Sequence, residues 1–303
     1  MFNLPTDWPL PAVLFCAILY TLGALGLKQT MSRGVSPWQV NFYGNMAMSV
    51  LYLPFWFAAD WQAIMTHWHE PVIAACTFFL GQYFTFVALK SGDVSIATPL
   101  LGSKIILVAV IASLAFGDAI PGAWWLAAGL SSVGIFVVTG TGARRSSAGI
   151  RPLVVTVAAS LAAATTFGFT DIVVQHWSAH MGKASFIAAM YTILGLLTCG
   201  LYLPIFGTQL INPPRGSALS WLLFGCLVLA GQNIIITFAL QFAGDATAVN
   251  IVYSSRCIWS VLLAWIAGGW LGNSESKLHP NLMLTRLCGA VLLFAAVWLV
   301  IVG

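Results

Sequence analysis

The chain has 303 residues, of which 60% are apolar and only 7% are charged, and its mean hydropathy is +0.93. Soluble domains carry roughly 25% charged residues, so this chain has too few to cover a surface that faces water. The composition therefore excludes a soluble enzyme and indicates a polytopic membrane protein in a lipid bilayer. The net charge of +4 is scattered, without the basic stripe that nucleic-acid binding requires, so we expect no nucleic-acid partner.

Ten apolar segments of spanning length follow one another along the chain. They cover about 9–31, 37–58, 71–90, 93–117, 120–140, 152–178, 184–206, 218–242, 245–271 and 282–302. Runs this long are typical of helices and not of the short alternating strands of a membrane barrel. Because most connectors are short, neighbouring helices should form antiparallel hairpins. The sequence therefore predicts an all-α membrane protein with ten transmembrane helices.

Three sequence landmarks recur in the same order in the two halves, 150 to 152 residues apart. They are Leu51-Tyr-Leu-Pro54 with Leu201-Tyr-Leu-Pro204, Gly81-Gln82 with Gly231-Gln232, and Gly92–Lys104 with Gly244–Arg256. The pattern predicts a duplication, residues 1–140 and 152–303, joined by a polar linker at 141–151. Since five helices is an odd number, the second copy must enter the membrane in the opposite sense. Inverted repeats of this kind are typical of secondary transporters, which bind substrate between the repeats near the bilayer midplane.

Each copy of the third landmark ends in a serine followed by a cation, Lys104 in the first half and Arg256 in the second. Both cations fall near the middle of a spanning segment, where a charge is costly and therefore points to function. We expect the pair to face a central cavity and hold a carboxylate or phosphate, with the planar guanidinium suited to bidentate recognition. A buried ion pair or snorkelling to an interface is the structural alternative.

Residues close to these cations extend the candidate site. Tyr253 lies about one turn before Arg256 and Asn250 a further turn back, so they share its helix face. They can supply an aromatic wall and a hydrogen bond, or they can simply pack. Pro99, five residues before Lys104, is expected to kink its helix beside the site, because it removes a backbone hydrogen bond.

One carboxylate, Asp171, is placed well inside a predicted helix. It can pair with Lys104, Arg256 or Arg286 in a structural salt bridge, or it can titrate as a proton-coupling site. The residues alone do not choose between these two roles.

Four side-chain amides lie inside predicted helices. Gln82 and Gln232 are related by the duplication, and Asn41 and Asn45 present one polar face because they are four residues apart. A buried amide without partners is expensive. Each amide therefore either lines the cavity and contacts substrate or forms a hydrogen bond between helices.

Motifs for catalysis, nucleotide binding and metal binding are missing. We find no phosphate-binding lysine loop, no nucleophile elbow and no paired catalytic carboxylates, so we expect no enzyme, no cofactor and no ATP-driven pump. The six cysteines are scattered singly through apolar runs and are expected to be buried small hydrophobes. The loop sequence His67-Trp-His69 is interpreted as a solvated loop, and no metal site is predicted.

The run from Ala88 to Asp118, ALKSGDVSIATPLLGSKIILVAVIASLAFGD, resembles the drug/metabolite transporter superfamily, EamA type. The resemblance implies ten helices in two inverted repeats and the transport of a small metabolite. Members carry amino acids, sugars, nucleotide sugars, phosphorylated sugars or drugs. Members that transport nucleotide sugars and triose phosphates hold phosphate with cations on helices four and nine, which Lys104 and Arg256 match in kind. The surrounding Ser254-Ser255-Arg256 departs from the nucleotide-sugar motif, so those substrates are not carried over.

These observations together predict a secondary-active, alternating-access transporter of a small solute bearing a carboxylate or phosphate, amino acids included. Proton coupling and exchange against a counter-solute both remain open. The alternatives are a broad exporter of amphipathic or drug-like compounds and, from another class, a non-transporting receptor or scaffold. Lys and Arg are concentrated on one set of loops, which predicts that this side is cytoplasmic and that both termini lie outside the cytoplasm. The length of the chain and its short loops favour a bacterial inner membrane. Gly129, Gly134 and Gly289 can pack within a monomer or support a homodimer.

Overall fold

The computed structural model describes residues 9–91, 97, 100–140, 150–267 and 280–302, and the secondary-structure elements in these ranges are all helical. In the first half the α-helices are α1 (Pro9–Met31), α2 (Pro37–Tyr52), α3 (Trp61–Thr66), α4 (His69–Ser91), α5 (Lys104–Ile111) and α6 (Gly122–Gly140). A 3-10 segment, Leu53–Ala58, continues α2, and a π-helical turn, Ala112–Phe116, continues α5. These two continuations extend both helices close to the ends of their predicted segments.

In the second half the α-helices are α7 (Ile150–Met181), α8 (Lys183–Phe206), α9 (Ser217–Ala243), α10 (Ala246–Tyr253), α11 (Arg256–Ala267) and α12 (Pro280–Val302). A 3-10 turn, Gly207–Leu210, follows α8. Ile150 and Arg151 belong to α7, and the rest of the predicted linker lies outside the described residues.

Helix type and approximate bounds agree with the ten predicted segments, which confirms the all-α prediction. Within the described ranges, five helices are long and apolar enough to cross a membrane: Pro9–Met31, His69–Leu89, Arg151–Met181, Lys183–Phe206 and Ser217–Ala243. Three shorter apolar helices cover Leu100–Phe116, Gly122–Val138 and Cys288–Val302. The chain is therefore a helical membrane protein, and the total of ten spans stays a prediction.

The two halves pack against each other along whole helices. α1 lies along α9, α4 lies along α7, and α6 lies along α12. Glycines allow two of these contacts to be close. A Cβ on Gly26 would lie 2.9 Å from the Cα of Gly225, and a Cβ on Gly289 would lie 2.9 Å from the carbonyl oxygen of Gly134. Gly134 and Gly289 thus pack within the monomer, as small residues do between membrane helices.

α8 lies in the interior of the bundle, where it contacts α2, α4 and α7. Its Tyr191 is fully buried and stacks on Tyr52 at the end of α2, with ring centroids 3.9 Å apart. The Tyr52 hydroxyl donates a 3.0 Å hydrogen bond to Oδ1 of Asn233 on α9, which also accepts from the Tyr191 hydroxyl. These contacts join both halves directly beside the cavity described below.

A candidate solute-binding cavity

A cavity of about 290 Å³ lies between the two halves. Helices from both halves form its wall, and most of its lining area is apolar, as is usual for small-molecule sites. Its polar lining residues include Gln82, Lys104, Asp171, Gln232, Asn250 and Arg256, and Tyr20 and Tyr253 are among its aromatic ones. Six predicted site residues and the candidate coupling residue Asp171 are thus brought together around one space.

Both cations follow a break in a helix. α10 ends at Tyr253, Ser254 and Ser255 form a turn, and α11 begins at Arg256. In the first half Ser103 forms a turn and α5 begins at Lys104. Broken helices at membrane depth are tolerated where the freed backbone lines a cavity, and transporters use them to build substrate sites.

The serines explain why the helices break at these points. The Ser103 hydroxyl donates a hydrogen bond to the carbonyl of Leu100, and the Ser254 hydroxyl donates one to the carbonyl of Ile251. Each of these hydrogen bonds is 2.6 Å long. Such local bonds compete with the regular helical ladder and favour a bend. Pro99, where the kink was predicted, lies outside the described residues, so that kink stays a prediction.

Lys104 is neutralised by Asp171. Its Nζ lies 2.6 Å from Oδ2 of Asp171, and Nδ2 of Asn250 donates a 2.7 Å hydrogen bond to the same oxygen. The side chains of Lys104 and Asp171 are only 19% and 16% exposed, so the pair is largely removed from water. Of the predicted partners of Asp171, the structure selects Lys104. The side chain of Arg286 lies outside the described residues.

Arg256 has a different environment. Its guanidinium carbon lies 4.8 Å from the ring centre of Tyr20 and 4.6 Å from that of Tyr253, and the two rings meet edge to face. The salt bridges found among the described residues do not include Arg256, and the guanidinium borders the cavity. Cation–π contacts hold its position without cancelling its charge. Tyr20 was not predicted from the sequence, because no pattern on α1 sets this tyrosine apart.

The predicted amides have two different roles. Gln82 and Gln232 line the cavity. Gln82 also exchanges two 2.9 Å hydrogen bonds with Asn45, whose amide nitrogen donates to Thr198 as well. Gln82 is therefore held by a helix-to-helix contact while it faces the cavity.

Asn41 and Asn45 do not line the described cavity, so the cavity-lining interpretation of this face is not supported. Both side chains are buried, and Asn41 donates a 2.8 Å hydrogen bond to the hydroxyl of Tyr202 on α8. In an apolar environment an amide needs a protein partner, and here the neighbouring helix provides it. Asn233, Thr237 and Tyr191 line the cavity instead. Asn233 directly follows the repeat landmark Gly231-Gln232, which was the available signal for it.

Comparison with known proteins identifies the first half. Residues 7–140 match the model of the EamA-like transporter family. The first half of the chain is therefore similar to the EamA-like transporter family. The resemblance to the drug/metabolite transporter superfamily is thereby confirmed. Together with the spanning helices, this similarity points to an integral membrane protein.

The full chain shares its fold with a solved crystal structure. The two are 17% identical, the match covers 95% of this chain and 94% of the other, and the TM-score is 0.73. At this identity the likeness shows the fold alone. No curated protein matches the sequence.

Proposed function

We propose that this EamA-like protein is a secondary-active carrier that moves a small organic solute bearing a carboxylate or phosphate, amino acids included. The observation that supports this most is Arg256, a cation at the wall of a central cavity with no acidic partner among the described residues. A desolvated charge is costly, and a solute anion compensates it during binding. The cavity volume of about 290 Å³ suits a solute of amino-acid size.

The charge balance of the cavity favours one carboxylate. The formally charged groups in its described lining are Lys104, Arg256 and Asp171, which leave one net positive charge. A monocarboxylate brings this sum to zero, whereas a phosphate dianion overcompensates it. Gln82, Gln232 and Asn233 add amide donors and acceptors for the rest of a polar solute.

Alternating access is supported by how the halves pack. α1, the first helix of its half, lies along α9, the third spanning segment of the other half. α4 and α7 make the reciprocal pairing of third with first. Reciprocal pairing of this kind fits a two-fold relation between the halves, which two inverted five-helix repeats would have. Repeats of this kind move against each other around a fixed central site.

Asp171 has one of two roles in transport: it binds a coupled proton, or it only compensates the charge of Lys104. If Asp171 binds the coupled proton, Asp171→Asn abolishes proton-driven uptake but leaves solute exchange across the membrane intact. If Asp171 only compensates Lys104, the same substitution weakens uptake and exchange together. Measuring both activities in the same proteoliposome preparation separates the two mechanisms.

Orientation and location complete the proposal. We expect the protein to lie in a bacterial inner membrane. Its loops rich in Lys and Arg should face the cytoplasm, and both termini should lie on the opposite side. Reporter fusions at the C-terminus test this orientation. An enzyme that is active only outside the cytoplasm should report activity, and one that is active only inside should not.

The function is tested by uptake into proteoliposomes of a panel of labelled solutes: amino acids, organic acids, sugar phosphates and cationic drugs. We expect saturable uptake of one or more carboxylate solutes by the wild type and its loss in Arg256→Ala. Uptake of cationic drugs alone would overturn the substrate class and favour a broad exporter. Binding of a solute without any uptake would identify a receptor instead of a carrier.

A further inference from the structure

A second polar cluster lies at the opposite end of α4 from Ser91, away from the cavity residues. It consists of His67 in the turn before α4, Glu70 in the first turn of α4 and His180 in the last turn of α7. Nδ1 of His180 lies 2.6 Å from Oε1 of Glu70, and Nδ1 of His67 lies 3.3 Å from the same oxygen. The three ligand atoms all lie within 4.8 Å of one another.

The geometry of this cluster fits a metal ion. Zinc binds histidine nitrogen and carboxylate oxygen at about 2.0–2.2 Å, so neighbouring ligand atoms in a tetrahedral site stand about 3.3 Å apart. The spacings here bracket that value, and His67 and His180 are partly exposed, so their rings can adjust. Two imidazoles with one carboxylate form a three-ligand set that leaves a position open for water or another donor.

Glu70 supplies an independent reason to expect a ligand. Its side chain is only 6% exposed, yet both histidines approach Oε1, and Oε2 is buried with no hydrogen-bond partner. A buried carboxylate oxygen without a hydrogen-bond partner is destabilising. A metal ion bound at Oε1 would neutralise the negative charge that the two carboxylate oxygens share, which two uncharged imidazoles do not.

We propose that His67, Glu70 and His180 form a binding site for a divalent transition-metal ion, with Zn²⁺ as the representative species. Imidazole nitrogen with one carboxylate favours zinc, nickel or copper over magnesium and calcium, which prefer oxygen ligands. The sequence predicted no metal site, because only the adjacent His67 and His69 were visible there. In the structure His69 is exposed and lies outside the cluster, and its second histidine is His180, which is distant in the sequence.

The site joins two helices that line the cavity. Gln82 lies on α4 and Asp171 on α7, and the cluster connects the beginning of α4 to the end of α7. A bound ion would therefore hold these two helix ends together with three ligands. The ion is a structural or regulatory ligand in this proposal, and no step of transport is assigned to it.

The test is calorimetric titration of ZnCl₂ into the purified, untagged protein after removal of metals with a chelator, with MgCl₂ as reference. We expect one Zn²⁺ per chain, at least 10-fold weaker binding in His180→Ala and Glu70→Gln, and no binding of Mg²⁺. His69→Ala is the matched control, since it removes a neighbouring exposed histidine outside the cluster, and it should bind Zn²⁺ like the wild type.

A second readout keeps the test independent of folding defects. Zn²⁺ should raise the thermal unfolding temperature of the wild type and of His69→Ala by mass action, but not that of His67→Ala. His67 precedes α4 in a turn, so its substitution leaves the helices intact if His180→Ala should unfold. Equal zinc binding by the wild type and all cluster variants would place the ion on other groups, such as exposed Cys288, and overturn the proposal.

Discussion

Lys104 and Arg256 occupy the same position in the two copies of the duplicated landmark, but their surroundings differ. Both follow a serine turn that interrupts a helix, and both border the cavity. Lys104 is paired with Asp171 at 2.6 Å, whereas Arg256 lies between two tyrosine rings without an acidic partner in the described part of the chain. The backbone break and the charge thus recur in both halves, whereas the residues around the two cations differ.

This contrast shows that a buried cation indicates a binding site only once its partners are known. The ion pair supplies internal compensation, so the ammonium has little charge left to attract a solute. The tyrosines position the guanidinium without cancelling its charge, so this cation at the cavity wall can attract an anion. The predictions below are arranged to test that division of roles.

The largest effect is expected at Arg256. Arg256→Ala should weaken binding of an anionic solute about 100-fold, because truncating one partner of a buried charge pair costs about 2–5 kcal/mol. Arg256→Lys, which keeps the charge but loses the planar fork, should give an intermediate value. Titration of the purified protein with the best solute from the uptake panel measures both.

Arg33→Ala is the matched control for that comparison. Arg33 is exposed beyond the end of α1, where its guanidinium lies 5.7 Å from the ring centre of Trp221. The Arg33→Ala substitution removes the same type of side chain as Arg256→Ala, but at a position away from the cavity. A 100-fold loss in this variant as well would show a general effect of charge and contradict a specific role for Arg256.

The next effect concerns the ion pair. Asp171→Ala should lower the free energy of unfolding by about 2 kcal/mol, less than the ~3–5 kcal/mol of a fully buried pair, because the cavity admits some water. Adding Lys104→Met should recover most of this loss, since the uncompensated charge is then removed. Unfolding in mixed micelles measures both variants. Absence of recovery in the double variant would argue against the pair.

A smaller effect is expected at Asn45. Asn45→Ala removes hydrogen bonds to Gln82 and Thr198 and should lower the free energy of unfolding by about 1 kcal/mol, as is usual for polar contacts between membrane helices. Solute affinity should change less than threefold, because Asn45 is outside the cavity lining. A loss of binding free energy larger than the loss of unfolding free energy would show that Asn45 takes part in solute binding.

The smallest effect is expected at Tyr20. Tyr20→Leu removes one of the two rings beside Arg256 and should weaken solute binding about 2–5-fold, the equivalent of a cation–π contact of about 0.5–1 kcal/mol. Tyr20→Phe keeps the ring and should bind like the wild type. A loss in Tyr20→Phe equal to that in Tyr20→Leu would assign the effect to the hydroxyl and not to the ring.

The helices and the shared register of the two cations could be predicted from sequence, because long apolar runs and repeated landmarks depend only on local pattern. The partners could not. Asp171 was compatible with three cations, and only the packing of α7 against α5 selects Lys104. Asn41 and Asn45 share a helix face, but the direction of that face depends on α8, which satisfies them. Tyr20 and His180 could be identified only once the fold had brought distant helices together.

The most direct test of the account is a thermal-shift screen of the carboxylate solutes against Arg256→Ala and the double variant Lys104→Met/Asp171→Leu. Bound solute stabilises the folded state by mass action, so the shift reports binding in each background. We predict that stabilisation is lost in Arg256→Ala and retained in the double variant, whose removed charges cancel. Stabilisation that persists in Arg256→Ala but disappears in the double variant would contradict the account and identify the Lys104–Asp171 pair as the solute site.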